Sequence, residues 1–237
     1  MLTLGINTAL PGASLAVAEE HRLLGEIFLD PRQPKTETLA RQIKKFLTLL
    51  DLDFKKIPLI SVVKGPGVYT GLRTGLTTAK TLVQVLKNKI VTIDTLENLA
   101  FQARFLEGLL VTFIKATQKF FNLALFSLRT GQYQRLTDDL ILEEPKILEK
   151  LARIKGRFYI ATDTTGIYDK ILLMNSKSRV ALLDNSLVVP NSAGSAAFLG
   201  AAKFRQGNYE QNPLNLVPLY LHPVRITPKI FNYQSRT

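Results

Sequence analysis

The segment GPGVYTGLRTG, residues 65–75, holds the residue types that could bind a phosphate group. A P-loop needs the pattern G-x-x-x-x-G-K-[ST], because its lysine neutralises phosphates and its hydroxyl holds magnesium. Here Leu72 and Arg73 follow Gly71, so the segment does not match. The dinucleotide fingerprint G-x-G-x-x-G also fails, since the third glycine comes one residue late. An anion at the amino end of a following helix, near Arg73, stays open as an alternative.

Small residues within this segment have a second explanation. Gly71, Gly75 and Ala79 recur every four residues, so they share one stripe of a helix predicted from Leu72 to Leu86. Glycine inside a helix costs about 1 kcal/mol relative to alanine, which indicates that another part of the protein packs tightly here. Packing within one domain and packing against a partner subunit are both open.

Side chains that commonly bind transition metals are scarce. The chain has no cysteine, which excludes disulfides and thiolate metal sites and fits the cytoplasmic location that we expect. Its two histidines, His21 and His222, are far apart in the sequence. We therefore expect neither a metal site nor a cofactor.

The composition is that of a globular protein with a basic surface. Of 237 residues, 46% are hydrophobic and 21% charged, and no apolar run approaches the roughly 20 residues that span a bilayer. The first residues lack the basic segment of a secretory signal, so we expect a strand there and no membrane association. The net charge of +12 suggests a polyanionic partner such as nucleic acid, although a generic basic surface explains it equally well.

The elements that position these residues follow an α/β pattern. Short apolar runs predict strands at Leu2 to Thr8, Ala13 to Ala18 and Leu23 to Leu29, then a helix capped by Thr36. A strand at 59–63, the helix from Leu72, a strand at 90–93 and a helix from Thr95 follow. The second half of the sequence repeats this pattern less regularly, which predicts a second unit. Its predicted strands are 109–114, 120–126, 132–136 and 158–161, and its predicted helices are 148–154 and 193–204. We expect two domains, residues 1–106 and 107–237, with mixed sheets flanked by helices.

Residues 65–80 resemble the signature of the TsaB family, GPGSFTGLRIGLATAKGL, with Val68 and Tyr69 in place of the usual Ser-Phe. The positions that carry the loop part of this match are Gly65, Pro66, Gly67, Tyr69, Thr70, Gly71 and Arg73. The segments at 4–8 and 91–100 resemble the family's opening strand and its V-x-x-x-S/T-L-E-A-L-A segment. Residues 218–221 resemble its closing P-x-Y-L-R, with His222 in the arginine's place.

The resemblance implies a fold of two tandem ribonuclease-H-like lobes, the ASKHA or actin-like arrangement. It implies a non-catalytic scaffold subunit that supports a TsaD-like transferase in threonylcarbamoylation of tRNA adenosine. A TsaE-like ATPase would join the larger complex, tRNA would bind through the complex, and the chain could form a homodimer when alone. The family's partner contact runs through the first-lobe helices, which here implies the interface residues Leu39, Ile43, Leu47, Leu72, Gly75, Leu76 and Ala79.

Catalytic members of the ASKHA group hold magnesium-nucleotide through carboxylates on the first strand of each lobe. The first-lobe position is Asn7 here, and residues 114–118 offer no carboxylate. The second lobe also departs from the family pattern at residues 116–121, as does the first at 35–37. An ASKHA small-molecule kinase or transferase with its own active site stays the main alternative. An independent RNA-binding module, suggested only by the charge, is the third.

Overall fold

The computed structural model describes residues 1–32, 38–164, 166–167, 170–171, 180–183 and 188–220. Its first sheet has the strand order β3-β2-β1-β4-β5. The first three strands pair antiparallel, whereas β1, β4 and β5 are parallel, so the sheet is mixed as the sequence predicts. The strands are β1 Leu2–Asn7, β2 Ala13–Glu19, β3 Arg22–Leu29, β4 Leu59–Gly65 and β5 Lys89–Asp94.

Two helices, α1 Leu39–Leu49 and α2 Tyr69–Leu86, cover one face of this sheet. Their apolar stripes join side chains from β1, β2 and β4 in one buried cluster. α1 begins after Thr38, and the predicted cap Thr36 lies outside the described residues. α2 begins at Tyr69, three residues before the predicted start. Because Val68 makes no side-chain capping bond, the sequence carries no signal for this earlier start.

The second sheet has the order β11-β10-β6-β7-β8, with β9 paired to β7. Helix α3, Thr95–Gln102, packs between the two sheets, and α4, Glu144–Ala152, covers the far face of the second. The short strands β9 and β11 were not predicted, because three or four residues carry too little pattern. The strands are β6 Gly108–Lys115, β7 Phe120–Arg129, β8 Gln132–Arg135, β9 Leu140–Glu143, β10 Phe158–Thr162 and β11 Val180–Leu182.

The last long helix, α5 Ala193–Arg205, returns from the second half of the chain to the first sheet. It packs on the face opposite α1 and α2, and small residues allow this close approach. A Cβ atom at Gly5 would lie 2.2 Å from the Ala193 carbonyl oxygen, and one at Gly200 would lie 2.2 Å from Ser61 Oγ. The strands divide between the sheets on either side of residue 106, while α5 crosses back, so the boundary at 106/107 stays a prediction.

Candidate functional site

The glycine-rich loop lies between β4 and α2, against the turn that joins β1 to β2. Gly65 ends β4 with φ +121°, a conformation that favours glycine. A Cβ atom at Gly67 would lie 2.1 Å from the Ala9 carbonyl oxygen, and the Val68 N–H donates to that oxygen at 2.6 Å. The loop glycines therefore allow close contact between parts of this same chain.

The small-residue stripe of α2 faces the same turn. A Cβ atom at Gly71 would lie 2.0 Å from the Thr8 carbonyl oxygen, and one at Gly75 would lie 2.2 Å from Thr8 Oγ1. The Thr8 hydroxyl donates to the Gly71 carbonyl at 2.8 Å. Ala79 is fully buried in the first-lobe core. Of the two alternatives left open by the sequence, these contacts favour packing within the lobe.

Most of the residues assigned to the partner interface lie inside the first lobe. Leu39 is partly buried, and the other six are buried by this chain itself: Ile43, Leu47, Leu72, Gly75, Leu76 and Ala79. The outer faces of the two helices carry polar side chains and two prominent apolar ones. Leu49 on α1 is 80% exposed and Val85 on α2 is 72% exposed. A partner contact through α1 and α2 stays a prediction, and it would have to use these outer faces.

Two other signature residues, Tyr69 and Arg73, point outward on the first turns of α2. Arg73 donates to the Tyr69 hydroxyl at 2.8 Å, and its guanidinium lies 5.3 Å from the ring centre. The guanidinium is thus already engaged with a ring one helical turn away. Thr70, also exposed, accepts a hydrogen bond from Thr74 through its carbonyl oxygen.

Asn7, at the carboxyl end of β1, is fully buried and hydrogen-bonded at both its amide nitrogen and its oxygen. Its amide nitrogen donates to the Ser192 carbonyl at 3.3 Å, and its oxygen accepts the Ala9 N–H at 3.1 Å. The Ser192 carbonyl also accepts from Asn98 at 3.0 Å. At this position, where ASKHA enzymes use a carboxylate, the side chain ties β1 to the start of α5.

The start of α5 is itself capped from within the chain. Glu26 of β3 accepts hydrogen bonds from the Ala193 and Gly194 N–H groups at 2.6 and 2.9 Å, and the Ser192 hydroxyl donates to the same carboxylate at 3.1 Å. An anionic side chain at a helix amino end is stabilised by the helix dipole. Glu26 therefore occupies the amino end of α5, where a phosphate could otherwise bind.

A network of charged residues joins the two sheets. Arg135 of β8 pairs with Asp94, at the end of β5, at 2.8 Å and with Asp139 at 2.6 Å. Asp94 also caps α3, because it accepts the Glu97 N–H at 2.9 Å. Glu97 in turn accepts hydrogen bonds from Tyr133 at 2.8 Å and from Lys203 at 2.6 Å. These side chains connect β5, α3, β8 and α5.

Burial raises the pKa of two side chains in this network. Desolvation raises the pKa of Asp94 to about 6, Arg135 opposes that rise, and the neighbouring carboxylates of Asp139 and Glu97 add to it. Burial and the Glu97 carboxylate likewise raise the pKa of the Tyr133 hydroxyl. In the sequence, Glu97 stands out only as part of the segment 91–100 that resembles a family motif. The other members gave no signal, because their pairing depends on the contact between the two sheets.

A cleft of about 890 Å³ opens beside this network. Lys64, Arg104 and Lys203 contribute positive charge to it, and Glu97 and Glu210 contribute negative charge. Arg104 lies between two aromatic rings, 3.9 Å from the centre of Phe101 and 4.1 Å from that of Phe105. The described residues include no group of three or more His, Cys, Asp or Glu side chains able to hold a metal ion. None of the helices in the described part of the chain is long and apolar enough to cross a membrane.

Comparison with known proteins connects this architecture to a family. The model of the family described as "TsaD: tRNA N6-adenosine threonylcarbamoyltransferase" matches residues 32–162, more than half of the chain. The tRNA threonylcarbamoyladenosine biosynthesis protein TsaB of Bacillus subtilis (strain 168) is 27% identical over 139 residues, which cover 59% of this chain and 61% of that protein. The TsaB protein of Buchnera aphidicola subsp. Acyrthosiphon pisum (strain APS) is 23% identical over 192 residues, covering 78% of this chain and 85% of that protein.

A solved structure agrees with the fold. YeaZ from Pseudomonas aeruginosa superposes with a TM-score of 0.74 at 18% identity, covering 93% of this chain and 99% of that chain. This likeness confirms the predicted α/β fold of two tandem ribonuclease-H-like, actin-like lobes. Because the family model covers more than half of the chain, the chain belongs to the TsaD family, and within that family it is similar to the TsaB proteins.

Proposed function

We propose that this protein acts in the biosynthesis of threonylcarbamoyladenosine in tRNA, as a non-catalytic subunit that supports a TsaD-type transferase. The two TsaB relatives carry tRNA threonylcarbamoyladenosine biosynthesis in their names, and this chain spans 61% of the length of the Bacillus protein. A TsaE-like ATPase would join the complex, and tRNA would bind to the assembly. A homodimer of the chain alone would be an additional state.

The observation that carries the non-catalytic assignment is the state of Asn7. An ASKHA enzyme needs an anionic group there to hold a metal-bound phosphate. Asn7 is neutral and buried, and both ends of its amide bond to the chain's own backbone, at Ser192 and Ala9. The nearby carboxylate of Glu26 is likewise engaged by the amino end of α5. The polar groups at this end of the sheet therefore hold the lobe together.

The alternative is an ASKHA enzyme with its own active site, and it has one observation in its favour. The cleft of about 890 Å³ is large enough for a small-molecule ligand. Calorimetry with magnesium-ATP and the purified chain separates the two functions. The scaffold role predicts no binding in the micromolar range and no hydrolysis, whereas micromolar, magnesium-dependent binding would establish the enzyme alternative.

The partner contact is tested on the exposed faces of α1 and α2. Leu49→Asp and Val85→Asp each place a charge on the proposed interface, and we expect each to weaken affinity for the transferase subunit by roughly tenfold or more. The matched control is Leu136→Asp, which changes a half-exposed leucine that follows β8 in the second lobe. Titration calorimetry of each variant with the transferase subunit measures the effect. Equal affinities for all three variants and the unaltered chain would refute this interface.

A further inference from the structure

Two tyrosine rings lie side by side on the surface where α2 begins. Tyr69 and Tyr220 have ring centres 5.1 Å apart and planes inclined by 31°. Their exposed fractions are 38% and 39%, so each ring is open to solvent over a substantial area. Val68 beside Tyr69 is also exposed. With Arg73, whose guanidinium lies 5.3 Å from the Tyr69 ring centre, the two rings form what we call the tyrosine platform.

The platform is held in place by the segment that carries Tyr220. The Leu219 N–H donates to the Lys64 carbonyl at the end of β4, at 2.8 Å. Lys80 of α2 donates to the Leu214 and Leu216 carbonyls at 2.8 and 3.1 Å. These bonds fix residues 214–219 across β4 and α2, so Tyr220 is positioned beside Tyr69 in advance. A preformed surface loses less conformational entropy when a ligand binds.

One of the two segments that carry the platform is basic. Residues 54–93, which include β4, the loop, α2 and most of β5, hold no Asp or Glu. Residues 211–220 also hold none. The loop and α2 therefore offer positive charge on one side of the platform, whereas residues 211–220 carry no charge, and Leu219 borders a cleft that Asp94, Glu97, Asp138 and Asp139 also line. The basic residues of 54–93 are Lys55, Lys56, Lys64, Arg73, Lys80, Lys87 and Lys89.

We propose that the tyrosine platform stacks an unpaired base of RNA. Exposed aromatic rings next to arginine are the means by which proteins bind unpaired bases, because every base presents a π face to the ring. Arg73 of α2 and Lys64 of β4 supply attraction for the phosphates on either side. The bases of a duplex cannot stack on the rings in this way, since they are stacked on each other. That the ligand is RNA rests on the proposed function, while the stacking rests on the rings themselves.

The test uses the full-length protein and two probes of equal length, a fluorescein-labelled single-stranded 12-mer of RNA and the corresponding blunt duplex. Fluorescence anisotropy at low salt measures affinity. We expect tighter binding of the single strand, and a loss of about five- to 150-fold for Tyr69→Ala and for Tyr220→Ala. Phe105→Ala is the matched control, because it removes an exposed ring beside an arginine outside the platform. It should leave affinity within about twofold.

A second readout follows directly from the composition. The chain contains no tryptophan, so Tyr220→Trp introduces a single fluorescent reporter at the platform. Stacking of a base should quench its emission when the single strand is added, and the duplex should quench it much less. Unchanged emission together with unchanged affinity of the alanine variants would overturn the proposal. Equal binding of single strand, duplex and inorganic polyphosphate would do the same, because it would show attraction of charge alone.

Affinity for the transferase subunit, measured on the same variants, keeps this inference separate from the proposed function. If Tyr69→Ala and Tyr220→Ala weaken RNA binding and leave transferase affinity unchanged, the platform is an RNA site. If they weaken only transferase affinity, the rings contact protein and the RNA inference is wrong. A chain that stacks RNA without binding the transferase would retain the platform and refute the scaffold role.

Discussion

At the scale of single residues, the glycines of the signature are explained by the position of Thr8. Its backbone oxygen lies where a side chain at Gly71 would begin, and its hydroxyl lies where one at Gly75 would begin. A backbone atom moves less easily than a hydroxyl. The two glycines should therefore differ in how strictly they are required.

We expect Gly75→Ala to lower the free energy of unfolding by about 1–3 kcal/mol, and Gly71→Ala to lower it by more. For a chain of this size, each kcal/mol corresponds to about 2–4 °C in melting temperature. Thr77→Ala, at an exposed position of the same helix, should change stability by less than about 0.5 kcal/mol. Thermal unfolding measures all three. Wild-type melting of Gly75→Ala, combined with weaker binding of the transferase subunit, would restore the interface interpretation of the stripe.

The sequence raised the question about these glycines but could not answer it. Recurrence every four residues indicates close packing, whereas the identity of the neighbour depends on where the β1–β2 turn folds back. Similarly, the pattern on α1 and α2 identified apolar positions correctly, but an apolar stripe that faces the core and one that faces a partner have the same spacing. Burial of Ile43, Leu47 and Leu76 by the chain itself separates the two.

At the scale of elements, the two sheets are joined by the network around Arg135. Asp94 and Asp139 both depend on this guanidinium, with side-chain exposures of 14% and 13%. Arg135→Gln would leave two largely buried carboxylates without a cation, and because Arg135 itself is 30% exposed we expect a cost of about 1–3 kcal/mol, as for an unsatisfied buried polar group. Arg153→Gln, which breaks the exposed pair with Glu149, should cost less than about 1 kcal/mol.

The pH dependence of the free energy of unfolding is a second test of this prediction. The folded-state pKa of Asp94, about 6, lies above its ordinary value of 3.8, so Asp94 favours the folded state when protonated. Its contribution is lost as pH rises from about 4 through 6. Without Arg135 that pKa rises further, and the variant should come closer to wild-type stability as pH falls from 8 to 5. Chemical denaturation across this range measures the difference. A deficit that stays constant with pH would show that Asp94 does not respond to Arg135.

Elements were predictable from the sequence where they have a local signal. Alternating apolar runs and turn residues identified β1 to β7 and the positions of α1 to α3 closely. The start of α2 was missed because Val68 is not a capping residue, and β9 and β11 form only through pairing with longer strands. The contact of residues 214–219 with Lys64 and Lys80 bridges more than 130 positions, and no local pattern encodes it.

At the scale of the whole molecule, the buried polar side chains at the carboxyl end of β1 and on β3 bind one part of the chain to another. Asn7 holds the start of α5, Glu26 caps it, and α5 covers the first sheet from the second half of the sequence. The two-lobed architecture was predictable from alternating strands and helices together with the family signature. The return of α5 to the first sheet was not, because its small residues specify close packing without specifying the surface.

We propose that this chain promotes a reaction that it does not itself catalyse. The most direct measurement is threonylcarbamoyladenosine formation on tRNA, followed by mass spectrometry of nucleosides, in a reaction reconstituted with the transferase subunit, the ATPase, an activated threonylcarbamoyl donor and magnesium-ATP. We expect product only when this chain and the transferase are both present, with Leu49→Asp and Val85→Asp lowering the yield and Leu136→Asp leaving it unchanged. Product formed by this chain without the transferase, or an equal yield with the chain omitted, would contradict the proposed role of a non-catalytic supporting subunit.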